Sequence, residues 1–193
     1  MFKRASLVAL LLMVLSTSSA LAATKTVTVT NKAFKPGIVT ITVGDSVTFT
    51  NMTLKSHSPT PTNNYSWNGV TVAAGKSVVV TPTQSGSYPY FCALHPLRHK
   101  GTVSVKIGVS PAAGTTATMF HFVLGTVTAP GVLVHQLYAR VNGGAWQLIG
   151  TTSAPTFDHL LTTVGTWELE ARMKYVLGGA TSGYSPISTV VVF

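Results

Sequence analysis

The chain has only one cysteine, Cys92, among its 193 residues. A single thiol cannot form an internal disulfide, so the class of small secreted domains held together by disulfides is excluded. An unpaired thiol in an oxidising compartment is a liability unless it is buried or bound to a metal. Cys92 is therefore the first residue for which the sequence requires an explanation.

Acidic side chains are almost as scarce, with four Asp and Glu against 13 Lys and Arg, which gives a formal charge of +9. Residues 23–108 hold eight basic side chains and one acidic one, Asp45, whereas the charges of residues 109–193 balance. Such a field favours an acidic partner protein. A nucleic-acid partner is not expected, because the lysines are scattered, without interleaved aromatic residues or a reading helix.

After residue 22 the chain has no apolar run of about 18 residues, the length that a membrane-spanning helix needs. The first 22 residues instead predict a signal peptide: Lys3 and Arg4 precede an apolar stretch from Leu7 to Leu15, and Ala20-Leu21-Ala22 provides a small-residue cleavage site. We therefore expect a mature chain that begins at Ala23 and is periplasmic or extracellular, with no membrane span.

Helical periodicity is also missing from the mature chain, and alternation of apolar with polar residues replaces it. This period of two predicts half-buried strands, and Gly-containing turns separate them at the spacing of an all-β sandwich. The alternating apolar residues are Val27 and Val29, then Val39, Ile41 and Val43, then Val47 and Phe49, then Val103, Val105 and Ile107, and later Leu133 to Val141 and Trp167 to Tyr175.

The segment from residue 109 to 117 lacks charge and large aromatic side chains, which is typical of a linker. It divides the chain into a domain at residues 23–108 and another at residues 118–193. Three stretches of the second domain, Tyr138 to Trp146, Gly165 to Arg172 and Thr181 to Pro186, loosely resemble fibronectin type III domains. The resemblance implies an immunoglobulin- or fibronectin III-like sandwich that contacts protein or polysaccharide.

Cys92 and His95 stand three residues apart, at the end of a predicted strand and in the loop before the next strand. Two His and one Cys form the trigonal ligand set of blue copper sites, since imidazole and thiolate suit a metal that cycles between Cu(I) and Cu(II). His57 supplies the second imidazole. These three residues are the candidate metal ligands.

This pattern resembles the cupredoxins of the plastocyanin and amicyanin type. In that family an aromatic strand, here Tyr88 to Cys92, precedes Cys-x-x-His, and a Gly-x-Val-x-Val strand, here Gly101 to Val105, follows it. The stretch from Gly44 to Asn51 with His57 is similar to the family's other ligand strand. The resemblance covers residues 25–107 and implies a Greek-key sandwich that binds one copper ion in a mononuclear, type 1-like site.

The chain departs from the family at the axial ligand, which is usually a Met a few residues after the last His. No Met follows His95, and alignment on Lys100 and Gly101 places His99 at that position. Either His99 coordinates copper and lowers the reduction potential, or it is exposed to solvent and the site has three ligands or a backbone oxygen. The sequence leaves both alternatives open.

The resemblance implies one-electron transfer rather than enzymatic activity. His95 would conduct the electron through an apolar patch of Leu94, Pro96 and Leu97, with Arg98 and Lys100 at its rim. A multicopper oxidase would need His-x-His and His-Cys-His clusters, and a binuclear copper site needs two cysteines. The alternatives are a copper-binding or copper-delivery module, and a secreted structural or adhesive protein with a vestigial copper site.

The other side chains of interest are predicted to have structural roles. His121, His135 and His159 have no neighbouring Cys and are expected to be structural or solvated. Trp67 and the group of Tyr88, Tyr90 and Phe91 are expected to form core and to shield the metal from water.

Overall fold

The computed structural model describes residues 22–193 and contains strands but no helix within that range. The predicted signal peptide falls on residues 1–22, of which 1–21 lie outside the described part. The strands are β1 (Thr24–Val29), β2 (Phe34–Lys35), β3 (Ile38–Thr42), β4 (Ser46–Asn51), β5 (Pro59–Pro61), β6 (Ser77–Val80), β7 (Gly86–Cys92), β8 (Lys100–Lys106), β9 (Gly108–Ser110), β10 (Ala113–Gly114), β11 (Met119–Val123), β12 (Leu133–Val141), β13 (Gln147–Thr152), β14 (Thr156–Leu160), β15 (Gly165–Tyr175) and β16 (Ser188–Val192).

Two four-stranded sheets form the first half, in the orders β2-β1-β4-β6 and β3-β8-β7-β5. The predicted alternation is observed: in β4, Val47 and Phe49 are fully buried, whereas Thr48 and Thr50 between them are only partly covered. Apolar residues of both sheets meet in one core cluster, which includes Tyr88, Tyr90 and Cys92. The first half is therefore a sandwich, and Cys92 lies at one end of its core.

The second half is a further pair of sheets, in the orders β14-β11-β9 and β10-β16-β15-β12-β13. Its core cluster contains Phe120, Phe122, Leu137, Leu169 and Val190. The two long strands of this half are β12 and β15, and β12 pairs with β15 over its whole length. The all-β architecture that the alternation predicted is confirmed for the described residues.

Residues 109–117, which the composition predicted to be a linker, include parts of two short strands. β9 pairs with β11, and β10 pairs in parallel with β16, so both strands extend the sheets of the second half. Their side chains are small, and the pairing is made by the backbone. This segment therefore forms strands although it lacks the alternation of large apolar residues.

The two halves contact each other through backbone bonds and shared core. Ser85 N donates to Leu124 O at 2.8 Å, and Ser87 forms an isolated bridge with Gly183. Leu133 and Met173 of the second half belong to the core cluster of the first. Because Ser85 and Ser87 lie at the start of β7, the strand that ends in Cys92 is fixed at its opposite end by the second half.

No helix that could cross a membrane is present in the part of the chain that the structure describes.

Candidate metal centre

Cys92 is the last residue of β7 and has no exposed surface. Tyr88, Tyr90 and Cys92 alternate with more exposed residues along β7, so the strand's pleat directs the thiol into the sandwich. Cys92 N donates to His99 O at 2.9 Å. This bond joins the two ends of the loop that separates β7 from β8.

The loop itself folds back on Cys92. His95 N donates to Cys92 O at 2.9 Å, which places the His95 ring beside the thiol. The distance from His95 Nδ1 to Cys92 Sγ is 3.5 Å. His95 is half-buried, in contrast to the exposed Leu94 and Pro96 on either side of it.

His57 approaches the same sulfur from a separate part of the sandwich, two residues before β5. Its backbone exchanges two hydrogen bonds with Val72, at 3.1 and 2.8 Å, and its side chain is only 3% exposed. His57 Nδ1 lies 3.6 Å from Cys92 Sγ. Ser58 N also donates to this sulfur, at 3.3 Å.

The three imidazoles converge: one ligating nitrogen from each of His57, His95 and His99 lies within 4.8 Å of the others. Burial lowers the pKa of His57, and the positive charges that His99 and His95 would bear when protonated lower it further. His57 is therefore held in its neutral form, which is the form that binds metals.

His99 is buried, with 2% of its surface exposed, so it is not the solvated residue that one of the two alternatives expected. Its Nε2 lies 2.9 Å from Thr30 O, and because a carbonyl only accepts, Nε2 bears the proton. Nδ1 then has a free lone pair, is fully buried, and has no hydrogen-bond partner among the described residues. Buried polar atoms rarely remain unpaired, so the His99 ring fits a site whose remaining partner is a metal ion.

A second set of polar residues lies behind His57 and was not predicted from the sequence. His57 Nε2 is 3.1 Å from Thr53 Oγ1, which is in turn 2.8 Å from Asn51 Oδ1. Asn51 is completely buried and Thr53 nearly so. Apart from their position between β4 and His57, no signal in the sequence distinguishes these residues from other Thr and Asn residues.

A cleft of about 550 Å³ leads to this cluster from the surface. Met52, Leu54 and Lys55 line one side, and His95 and Arg98 line the other, with His57 and His99 also in its wall. Met52 is 73% and Leu54 98% exposed. Leu94 and Leu97, which stand before and after His95 in the loop, are 54% and 92% exposed.

Aromatic side chains cover the inner side of the cluster. Phe34 contacts His99 edge-on, with ring centroids 5.6 Å apart, and contacts Tyr90 at 4.9 Å. Trp67 lies 5.8 Å from Tyr90 on the far side. Trp67, Tyr88 and Tyr90 are core residues, as expected, and Phe34 completes the layer that separates His99 from the rest of the core.

The remaining histidines lie in the second half, away from the cluster. His121 is exposed, and its Nδ1 lies 2.6 Å from Asp158 Oδ1. His159 stacks on Phe157. His135 is fully buried, and neither of its ring nitrogens has a hydrogen-bond partner in residues 22–193.

A sequence model of the cupredoxin-like domain matches residues 3–105. Among solved structures, amicyanin from Paracoccus versutus is 24% identical, with 45% of this chain and 85% of that chain covered and a TM-score of 0.40. An oxidised amicyanin mutant is 23% identical over 42% of this chain and 81% of that chain, with a TM-score of 0.39. A search of curated proteins found no match.

Proposed function

The chain belongs to the family of cupredoxin-like domains, and from this premise we propose that it is an exported protein that binds one copper ion and transfers single electrons. Copper, when bound, would supply one-electron chemistry between Cu(I) and Cu(II). His57, Cys92 and His95 are the proposed ligands. The observation on which the proposal depends is the convergence of two imidazole nitrogens on the Cys92 sulfur, at 3.6 and 3.5 Å.

These three side chains are held by backbone bonds that do not involve a metal. Cys92 is fixed by the ladder at the end of β7, His57 by its bridge to Val72, and His95 by the turn that begins at Cys92. A ligand set held by the fold rearranges little when the charge at its centre changes. This supports electron transfer, for which small rearrangement is an advantage.

We propose His99 as a fourth ligand through Nδ1. Its lone pair is free because Nε2 donates to Thr30 O, and Nδ1 is buried without a hydrogen-bond partner among the described residues. An imidazole nitrogen is a stronger donor to Cu(II) than a thioether, so His99 would lower the reduction potential of bound copper.

The partner is proposed to be an acidic protein that docks around His95. Leu94, Leu97 and Leu54 provide an exposed apolar surface, and Lys55 and Arg98 lie in the wall of the adjoining cleft. Charges of one sign around an apolar centre increase the rate of encounter with a partner of opposite charge.

Copper delivery is the second candidate, and the cleft is the observation that favours it. The cleft connects His57 and His99 with the surface, and the exposed Met52 at its side offers a thioether, a ligand suited to Cu(I). Transfer of Cu(I) to an acceptor protein without reversible electrochemistry would favour delivery. Reversible electrochemistry without transfer would favour the electron carrier.

For the second half we propose a fibronectin III-like sandwich that contacts protein or polysaccharide. The strand orders β14-β11-β9 and β10-β16-β15-β12-β13 support this proposal, because β10 has only two residues and the other seven strands divide into sheets of three and four. The structural or adhesive alternative, in which this half is the working part, would gain support if the protein bound no copper.

Titration with Cu(II), followed by visible and electron paramagnetic resonance spectra, tests the proposed function. We expect a thiolate-to-copper band at one equivalent that is absent from Cys92→Ser and retained in His121→Ala, a control in the second half. Wild-type protein without such a band would contradict the electron-transfer proposal.

A further inference from the structure

The polar residues behind His57 form a chain of hydrogen bonds whose direction the backbone determines. At its far end, one side-chain atom of Asn51 lies 2.8 Å from Lys55 O, 3.0 Å from Val72 O and 3.0 Å from Ala73 O. Carbonyl oxygens only accept, so this atom is the amide nitrogen. The Asn51 oxygen must therefore face Thr53.

The hydrogen bonds of Thr53 agree with this orientation of Asn51. Its backbone N donates to Asn51 Oδ1 at 3.0 Å, as an amide oxygen at that place requires. The Thr53 hydroxyl is 2.8 Å from Asn51 Oδ1 and 2.9 Å from Lys55 O, and both of these atoms only accept. Because oxygen atoms at such distances repel each other unless a proton lies between them, the hydroxyl proton is directed to one of the two, and Thr53 Oγ1 presents lone pairs to its other neighbours, including Lys55 N at 3.3 Å.

These bonds decide which ring nitrogen of His57 bears the proton. Since Thr53 Oγ1 can only accept from the imidazole, His57 Nε2, at 3.1 Å, must bear the proton. The Nδ1 lone pair then faces Cys92 Sγ, 3.6 Å away. We propose that Thr53 is a positioning residue that fixes the tautomer of His57 and makes its Nδ1 a stronger metal ligand.

This inference rests on the proposed function, because it assigns Thr53 a role toward copper held by His57, Cys92 and His95. Hydrogen-bond acceptors behind a metal-bound imidazole fix its orientation and raise its basicity, and their loss typically costs about 10- to 100-fold in metal affinity. A more basic imidazole favours Cu(II) over Cu(I). Removal of the acceptor is therefore expected to weaken Cu(II) binding more than Cu(I) binding.

The main test compares Thr53→Val, which removes the hydroxyl at nearly constant shape, with Thr53→Ser, which keeps it. Thr83→Val is the matched control, because it removes a threonine hydroxyl bond to Ser66 O in the same half, away from the metal cluster. We expect Cu(II) affinity to fall about 10-fold or more in Thr53→Val alone. With Cu(I) affinity unchanged, a 10-fold loss raises the one-electron potential by about 59 mV.

A purely structural role predicts a different result. Thr53→Val would then lose thermal stability as Thr83→Val does, with unchanged copper affinity and potential, and that outcome overturns the proposal. If Thr53→Val does not fold, the nitrogen resonances of His57 in copper-free wild-type protein decide the question. A proton on Nε2 supports the proposal, and a proton on Nδ1 overturns it.

Failure of the proposed function has a separate signature. If the wild-type protein gives no thiolate-to-copper band, the proposed function is wrong whatever the role of Thr53. The nitrogen resonances of the copper-free protein report the His57 tautomer independently of that result.

Discussion

At position 99 the chain has the imidazole that we propose as a fourth ligand. The direction of its hydrogen bond to Thr30 O leaves Nδ1 as the free nitrogen. The nitrogen that His99 leaves free thus depends on a carbonyl 69 positions away in the chain. Sequence spacing alone could align His99 with the axial position, but could not distinguish a buried ring from a solvated one.

Replacement of His99 by Met is expected to raise the reduction potential, because a thioether stabilises Cu(II) less than an imidazole nitrogen does. Voltammetry and the copper hyperfine splitting of the His99→Met variant measure the change, with His121→Met as the control. An optical spectrum and potential identical to those of the wild type would count against coordination by His99.

His135 is expected to make the copper-free protein less stable in acid. Burial lowers its pKa from 6.5 to about 4, so the folded state keeps it neutral where the unfolded state binds a proton. Stability therefore falls as pH decreases from about 6.5 toward 4, by at most about 3 kcal/mol from this residue, and the loss levels off below the folded pKa.

Urea denaturation at pH 7.5, 5.5 and 4.5 measures this effect, and His135→Leu should flatten the profile. Part of the slope will remain, because the pKa of His57 is lowered too. A variant whose profile has the same slope as the wild type would show that His135 is protonated equally in both states.

Among the elements, those with strict alternation were predicted from the sequence and the shortest strands were not. β12 and β15 were recognisable because every second residue is apolar over many positions. β5 contains Pro59 and Pro61, which argue against a strand, yet it pairs with β7 at the edge of the sheet, where proline is tolerated.

The residues of the candidate site also divide into those that the sequence predicted and those that it did not. Cys92 and His95 are near each other in sequence, and their spacing predicted the convergence that the structure shows. Asn51 bonds to the carbonyls of residues 72 and 73, which approach it only after the strands have paired, and Thr53 contributes through its bonds to Asn51 and His57. Such partners could not be identified from the sequence, because their chemistry is common and their placement is tertiary.

β8 begins with a close approach that can be tested. A Cβ on Gly101 would lie 2.5 Å from the Tyr90 ring, which is itself packed in the core. We expect Gly101→Ala to cost about 1–3 kcal/mol and to disturb His99, two residues away. Gly37→Ala, on the neighbouring chain segment where a Cβ meets nothing within 4 Å, is the control.

Denaturation curves and copper spectra of both variants check this prediction. Equal stability of Gly101→Ala and Gly37→Ala would mean that the Tyr90 ring moves aside at little cost.

At the scale of the whole molecule, residues of both halves belong to one core cluster. Met173 is fully buried and belongs to the cluster that contains Tyr88 and Cys92. We therefore expect one cooperative unfolding transition, reported at the same midpoint by the copper band of the first half and, in a Trp67→Phe background, by the fluorescence of Trp146 and Trp167 of the second half.

Met173→Ala should lower both midpoints together, by an amount equivalent to about 2–5 kcal/mol, because it leaves a cavity at the junction. Leu148→Ala, on an exposed strand position of the same half, is the control. Two separated transitions in the wild type would show that the halves unfold independently.

The hydrogen bond from Cys92 N to His99 O has a consequence for how such a site can diverge. The chain leaves and re-enters the sheet at this one pair, so changes in the length or composition of residues 93–98 leave the strand register intact. The preference and potential of the proposed metal site could therefore vary while the sandwich stays constant, which makes the loop an exchangeable part for evolution and for engineering alike.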